Sequence, residues 1–322
     1  MLQKHLPRMS SECGKQSRMT DMTRRKHFVI VNPVAGRGRC NALFPSVIEC
    51  LTRRGLDFDY HYTNEPMEAP DVAKMVIEGG FTDIVAMGGD GTINEVINGM
   101  MSVDNSLPLA VIPAGSGNDF ARMNGIPLNH VAAIELLLHG TEASIDLGRV
   151  DGERYFVNGL GIGLDAQVAR DVLRMKHLHG SAAYISAAIR QILRFQAFPV
   201  ELASGGWQRT LSCLSLGVAN GKYVGGGFKM APEAESTDGL LDVCAIRDMP
   251  KLKRLMAIPK TRSGNHLQLK EVEYKQVESL RISSDARLVA HLDGEPYFPP
   301  RGSFSVSAHS RALRLVVPGN PT

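Results

Sequence analysis

The stretch Met87-Gly88-Gly89-Asp90-Gly91-Thr92-Ile93-Asn94-Glu95-Val96 limits the folds open to this chain more than any other. It follows Ile84-Val85-Ala86-Met87, a short apolar run of the kind that forms a buried strand. Beyond it Ile93, Val96, Ile97 and Met100 recur at i, i+3, i+4 and i+7, the stripe of an amphipathic helix. Three glycines thus lie where a strand ends and a helix begins, around a single carboxylate. Glycine admits close backbone approach to a ligand. A helix N-terminus offers unpaired N–H groups and a positive dipole end, which attract phosphate. Asp90 is then placed to hold a metal ion, or its water, beside that phosphate. A tight turn needing glycine for geometry alone explains the glycines but not the acid. The acid favours a nucleotide-phosphate loop.

The same strand–loop–helix unit recurs. Phe28-Val29-Ile30-Val31 runs into Asn32-Pro33-Val34-Ala35-Gly36-Arg37-Gly38, and Leu43, Phe44, Val47 and Leu51 share the next helical face. Phe58, Tyr60 and Tyr62 alternate as in a half-buried strand closed by Thr63, and residues 70–79 read as a helix opening on Pro-Asp. Residues 107–112 form another strand, which feeds Pro113-Ala114-Gly115-Ser116-Gly117-Asn118-Asp119-Phe120. Such repetition predicts an α/β domain with a parallel sheet and three glycine-bearing loops converging at the strands' carboxyl edge.

Near residue 145 the pattern changes. Residues 145–150 and 154–157 read as strands around a two-residue Asp151-Gly152 turn. Short β-rich runs follow at 211–218, 240–246, 277–282, 287–292 and 304–307, which predict an antiparallel, β-rich second domain of sandwich type. One helix interrupts them, with Ile185, Ala188, Ile189 and Ile192 on one face and Arg190 and Arg194 elsewhere. The predicted division is a basic tail over 1–26, an α/β domain over 27–147, a β-rich domain over 148–310 and a final strand over 311–322.

Charge supports that division. The chain of 322 residues carries +3, but residues 1–26 hold seven basic and two acidic residues, leaving 29 basic against 31 acidic residues in the body. The body thus shows no charge excess pointing to nucleic acid. The tail lacks the apolar core of a secretory signal, and disorder or a start set too far upstream of Met9, Met19 or Met22 is expected. Five cysteines without C-x-x-C spacing predict buried thiols in a reducing compartment. No apolar run is as long as a membrane-spanning helix, so any membrane role is predicted to be peripheral.

Six motifs in order resemble the diacylglycerol kinase catalytic domain family, its bacterial single-chain lipid kinases above all. They are Asn32-Pro-Val-Ala-Gly36, Gly88-Gly-Asp-Gly-Thr-Ile-Asn-Glu95, Gly115-Ser-Gly-Asn-Asp-Phe-Ala-Arg122, Gly225-Gly-Gly-Phe-Lys-Met-Ala-Pro232, Thr237-Asp-Gly-Leu-Leu-Asp242 and Leu292-Asp-Gly-Glu-Pro296. Gly-Gly-Asp-Gly alone is shared with NAD kinases and phosphofructokinase-like proteins; the ordered set is far more specific. The resemblance implies an active site in a cleft between the two domains and a last strand, about 312–317, that returns to the first. It implies ATP contacts at Asn32, Thr63, Gly89, Asp90, Gly91, Thr92, Ile93, Asn94, Glu95 and Ser116. It implies catalytic Mg²⁺ held by Asp90, Asp119 and Asp238, and a general base at Glu295. A loop like 235–240 holds a second, structural ion in some members, which would involve Glu235, Asp238 and Leu240.

Each position has a plainer reading. Asp90 and Asp119 are also natural helix caps, and Asp293-Gly294 is an ordinary hairpin turn that would leave Glu295 solvated. His177 and His179 read as a solvated basic loop. Ser116 lacks the glycine spacing of a hydrolase nucleophile, and no Walker A or dinucleotide fingerprint occurs. The resulting expectation is an ATP- and Mg²⁺-dependent kinase of a membrane lipid, diacylglycerol to phosphatidic acid foremost. It would be cytoplasmic and transiently at the inner membrane face. Sphingoid-base, other lipid-alcohol and NAD kinases, a non-catalytic regulator, and homodimerisation stay open. Residues 251–257 and the Arg190/Arg194 helix mix basic and apolar side chains as interfacial segments do.

Overall fold

A computed structural model describes residues 25–103, 107–174, 186 and 189–319. The tail over 1–24, His177, His179, Ile185 and Ala188 lie outside the described residues.

Four parallel strands build the first half: β1 (Lys26–Val31), β2 (Asp57–Tyr62), β3 (Asp83–Gly88) and β4 (Leu109–Pro113). Their spatial order is β2-β1-β3-β4, so the chain reverses direction across the sheet between β1 and β3. Loops leaving the carboxyl ends of strands at such a switch point diverge and leave a crevice for ligands. Successive residues of the buried strands face opposite sides. Phe28, Ile30, Ile84 and Ala86 pack on α2 (Ala69–Glu78) and α3 (Asp90–Met101). Val29, Val31, Val85 and Met87 pack on α1 (Arg39–Arg53). The expected α/β layering is present, together with two short helices, α4 (Asp119–Met123) and α5 (His130–His139). The second was not foreseen. It is apolar around most of its surface, and Asn129 caps it by accepting N–H groups of Val131 and Ala132.

The second half is antiparallel and β-rich, as expected. Strands β5 (Thr141–Val150) and β6 (Arg154–Phe156) form the first hairpin, and α6 (Leu164–Arg174) follows β7 (Gly159–Gly163). Three residues, not two, separate the paired ends Val150 and Arg154, with Asp151 and Gly152 both at positive φ. β8 (Phe198–Ser204), β9 (Trp207–Ala219), β10 (Leu241–Arg247) and β11 (Val272–Val277) come next, with α7 (Lys251–Ser263) between the last two. β12 (Ser279–Ser284), β13 (Ala290–Leu292) and β14 (Glu295–Tyr297) lead to β15 (Gly302–Val317). The run at 277–282, read as one strand, is split at Glu278, whose carbonyl accepts the Ala308 N–H at 2.8 Å. The segments at 304–307 and 312–317, read as two strands, are one.

That long strand joins the two halves. Its first part pairs with β12 and its last part runs parallel to β4, where Leu315 lies opposite Leu109. Between them the register shifts from His309 to Leu313, and Arg311 takes positive φ. The hydrogen-bonded sheet is consequently continuous from the nucleotide-type half into the β-rich half. Two cores flank the junction, one centred on Ile93, Ile97 and Leu313, the other on Leu216, Val218 and Leu280. Cys40, Cys213 and Cys244 are buried free thiols, and burial raises the thiol pKa of Cys40 and Cys213 to about 12.

Candidate active site

The three glycine loops converge at the carboxyl edge. The Asn32 side-chain amide donates to Thr92 Oγ1 at 2.9 Å, and the Asn32 N–H donates to the Met87 carbonyl at 3.1 Å. The Ala114 N–H donates to the Gly88 carbonyl at 2.7 Å. A methyl group on Gly115 would lie 2.4 Å from the Gly89 Cα, and one on Gly36 only 2.2 Å from the Ala114 oxygen. Glycine is therefore required where one loop touches another. Gly115→Ala is expected to push the 88–91 loop aside and lower kcat/KM for the nucleotide that the sequence resemblance implies, ATP, by about 10²-fold, the penalty for displacement near 1 Å. Steady-state kinetics over an ATP series checks this.

Neither acid caps its own helix. The N-cap of α3 is Gly89 and that of α4 is Asn118, and neither helix has a side-chain cap. Instead, Asp90 Oδ1 accepts the Phe120 N–H at the start of α4 at 2.9 Å, tying the second loop to the third. Asp119 Oδ2 accepts the Gly226 N–H at 2.8 Å, from the Gly225-Gly226-Gly227 loop of the β-rich half. The two carboxylates flank Gly117: a methyl there would lie 3.1 Å from Asp90 Oδ2 and 3.7 Å from Asp119 Oδ2. Burial, and next the charge of Asp90, raise the Asp119 carboxyl to about 6. Asp119 Oδ1 is buried without a partner. An orphaned buried carboxylate oxygen beside a second carboxylate suits a hard divalent cation such as Mg²⁺. The residues present fit that ion.

Asp238 does not join them. Among the described residues no group of three His, Cys, Asp or Glu side chains is placed to hold a metal. Asp238 Oδ1 accepts the Leu240 N–H at 2.9 Å within its own exposed loop. That loop is pinned from outside by Asp146, which the sequence reading had missed. Asp146 is fully buried; its Oδ2 accepts the Gly239 N–H at 2.7 Å and its Oδ1 accepts the Arg311 N–H at 2.6 Å. Within the same loop Glu235 is exposed and Leu240 half-buried.

The implied nucleotide contacts divide. Gly89 precedes α3, and the first three N–H groups of that helix, on Asp90, Gly91 and Thr92, have no intrahelical partner. These can meet a phosphate. Ser116 is exposed beside them, and Thr63 closes β2 with its N–H on the Val31 carbonyl at 2.9 Å. Ile93 cannot contribute: its side chain is in the core and its N–H donates to the Gly89 carbonyl. Asn94 is also diverted, because its amide donates to Asp293 Oδ2 at 2.7 Å and to the Tyr155 carbonyl at 3.0 Å. Glu95 is half-buried, and burial, then the charge of Glu295, push its carboxyl up.

Glu295 begins β14 and is exposed. Its Oε1 would lie 3.2 Å from a methyl on Gly91, at the mouth of the phosphate loop. A residue from the far end of the chain thus stands over the helix N-terminus.

Known proteins are similar to both halves of the chain. A family model described as diacylglycerol kinase catalytic domain matches residues 26–150, and one described as YegS C-terminal NAD kinase beta sandwich-like domain matches residues 159–317. A diacylglycerol kinase of Bacillus subtilis (strain 168) is 30% identical over 271 residues, 83% of this chain and 88% of that one. A probable lipid kinase YegS-like of Pseudomonas putida is 33% identical over 288 residues, 89% of this chain and 94% of that one. The crystal structure of a putative diacylglycerol kinase from Bacillus anthracis str. Sterne superposes with a TM-score of 0.74 at 23% identity, covering 91% and 97% of the two chains, and so shares the fold. With the glycine loops and acids in place and both halves matched, the chain belongs to the diacylglycerol kinase catalytic domain family of lipid kinases.

Proposed function

We propose that this lipid kinase transfers the γ-phosphate of ATP to the hydroxyl of a membrane lipid, diacylglycerol in the first place, giving phosphatidic acid. The observation that carries the reading is the stance of Glu295 over Gly91, with Asp90 and Asp119 beside it. Phosphoryl transfer asks a protein mainly for alignment and charge neutralisation. The free N–H groups at the start of α3 receive phosphate oxygens. Asp90 and Asp119 would hold Mg²⁺, which when bound neutralises phosphate charge. Glu295 orients the acceptor hydroxyl and takes its proton as the P–O bond forms and ADP leaves.

The acceptor class rests on an apolar pocket in the β-rich half. Leu164, Val168, Leu214, Phe228, Met230 and Met249 line it, with α7 and Ile192 at its wall. No residue of α7 is buried; Leu252 is 72% and Met256 63% exposed, next to Lys251. Ile189 and Leu193, flanked by Arg190 and Arg194, are exposed on the neighbouring helical residues. Arg254 is not a free membrane contact: its guanidinium donates to the Ile192 and Phe195 carbonyls and pairs with Asp248. It holds the two helical segments together. Apolar residues ringed by cations suit the surface of an anionic bilayer, so the enzyme acts at the inner face of the membrane.

The test is labelled ATP with Mg²⁺ and a panel of diacylglycerol, sphingoid base, phosphatidylglycerol and NAD. Transfer to diacylglycerol is expected; transfer to NAD and to no lipid would overturn the reading. Leu252→Glu/Met256→Glu is expected to slow turnover of vesicle-borne diacylglycerol by about tenfold while sparing a dispersed short-chain diacylglycerol. Equal loss on both would remove these residues from docking.

A further inference from the structure

We propose that Asp293 is a positioning residue that sets Glu295 against the phosphate loop by gripping Asn94 of α3. The inference rests on the reading of Glu295 as the base. In an ordinary hairpin turn an Asp bonds its own neighbouring backbone. Asp293 instead turns outward. Its Oδ1 accepts the N–H groups of Asn158 and Gly159 at 2.8 and 2.9 Å, and its Oδ2 accepts the Val157 N–H at 2.8 Å and the Asn94 amide at 2.7 Å. The Asp293 N–H donates to the Gly159 carbonyl at 3.0 Å. Asp293 and Gly294 both take positive φ, and this conformation presents the carboxylate to that ring of donors.

The grip has two ends. At one, the hairpin tip is fixed to the strand entry at 157–159. At the other it is fixed to the second turn of α3. Asn98, one turn on from Asn94, donates its side-chain amide to the Tyr155 carbonyl and accepts the Tyr155 N–H, both at 3.0 Å. Asn94 lies three residues past Gly91, a rise of about 4.5 Å along the helix. Glu295 follows Asp293 by two residues, and among the described residues no hydrogen bond or ion pair holds its carboxylate. Its place over Gly91 is therefore set by the hairpin, and the hairpin's place relative to α3 by Asp293 and Asn94. A plain structural role for the pair would lower stability but leave turnover per folded molecule unchanged.

A double-mutant cycle on the full chain separates the two. Asn94→Ala and Glu295→Gln are assayed singly and together for kcat with diacylglycerol in mixed micelles. Thermal unfolding and binding of a non-hydrolysable ATP analogue are followed alongside. Asn94→Ala is expected to lower kcat by about 10- to 100-fold with analogue affinity kept within about threefold, the cost of a misplaced group. The double variant is expected to be no slower than Glu295→Gln alone. Losses that multiply, or an Asn94→Ala enzyme with only a lower Tm, overturn the proposal. Asp293→Asn, which keeps the volume and one acceptor oxygen, must show the same non-additivity and covers the case in which Asn94→Ala fails to fold. A fast Glu295→Gln enzyme sinks the base assignment and the positioning role with it. A slow Glu295→Gln enzyme beside a fast Asn94→Ala enzyme sinks the positioning role alone.

Discussion

Glu295→Gln is expected to lose about 10²–10⁴-fold in turnover while binding ATP as the parent does, the range for removal of a general base. The substitution keeps the side chain's size and an acceptor oxygen, so it removes the proton-accepting charge and little else. On the proposed reading nucleotide affinity would depend on the N–H groups of α3 and on the two aspartates, none of which Glu295 bonds. In a loose transition state the acceptor oxygen has reacted little. Part of the loss should accordingly appear as poorer orientation of the hydroxyl. Single-turnover kinetics with diacylglycerol, set beside equilibrium binding of an ATP analogue, measures both quantities. Glu95 supplies an independent reporter. Burial and then the charge of Glu295 raise its carboxyl, so the variant should bring Glu95 partway back down. Near-normal turnover in Glu295→Gln would exclude Glu295 as the base.

Asp119→Asn should raise the Mg²⁺ concentration for half-maximal activity by about 10- to 100-fold or more, because the proposed metal site would lose a charged oxygen. The same substitution should stabilise the metal-free protein, and the sign follows from the carboxyl's shift. Its value in the folded chain is about 6 against an ordinary 3.8, so folding disfavours the charged form. The penalty is fully present above about pH 6 and is relieved as pH falls from there towards 3.8. At pH 8 the neutral amide avoids it, a gain of up to about 3 kcal/mol in denaturant unfolding without metal. The Gly226 N–H keeps an acceptor in either variant. In the parent enzyme, Mg²⁺ affinity should fall by about tenfold per pH unit below about 6, since the cation competes with a proton for Asp119. An Asp119→Asn protein less stable than the parent at pH 8, with unchanged Mg²⁺ dependence, would remove Asp119 from the metal site.

Much of the first half was legible because its signals are local. An apolar run, a glycine loop and a helical stripe occur together in sequence at 84–100, and the structure places β3 and α3 there. Strand β7 was hidden for an opposite reason. Gly159-Leu160-Gly161-Ile162-Gly163 has the composition of a loop, yet it is a buried strand. A methyl on Gly161 would lie 2.3 Å from both Asp165 Oδ2 and His291 Nε2, so any larger residue at the strand's centre would have to move those two side chains. Asp165 follows closely on α6, but His291 comes from β13 near the end of the chain, so the sequence around Gly161 does not announce the crowding. Asp146 was missed likewise. Its partners Gly239 and Arg311 are 93 and 165 residues away.

The sequence by itself determined the glycine loop at 88–91 and the parallel sheet that carries it, since periodicity and glycine placement act over a single turn or strand, whereas the acids were singled out by the family motifs in which they stand. Tertiary structure alone decided what each acid bonds. Asp90 and Asp119 bond across loops instead of capping their helices, Asp238 stays on its own loop, and Asn94 turns to Asp293. A carboxylate's role depends on which donors and charges surround it, and here those come from segments up to 199 residues apart, brought together by the packing of the continuous sheet.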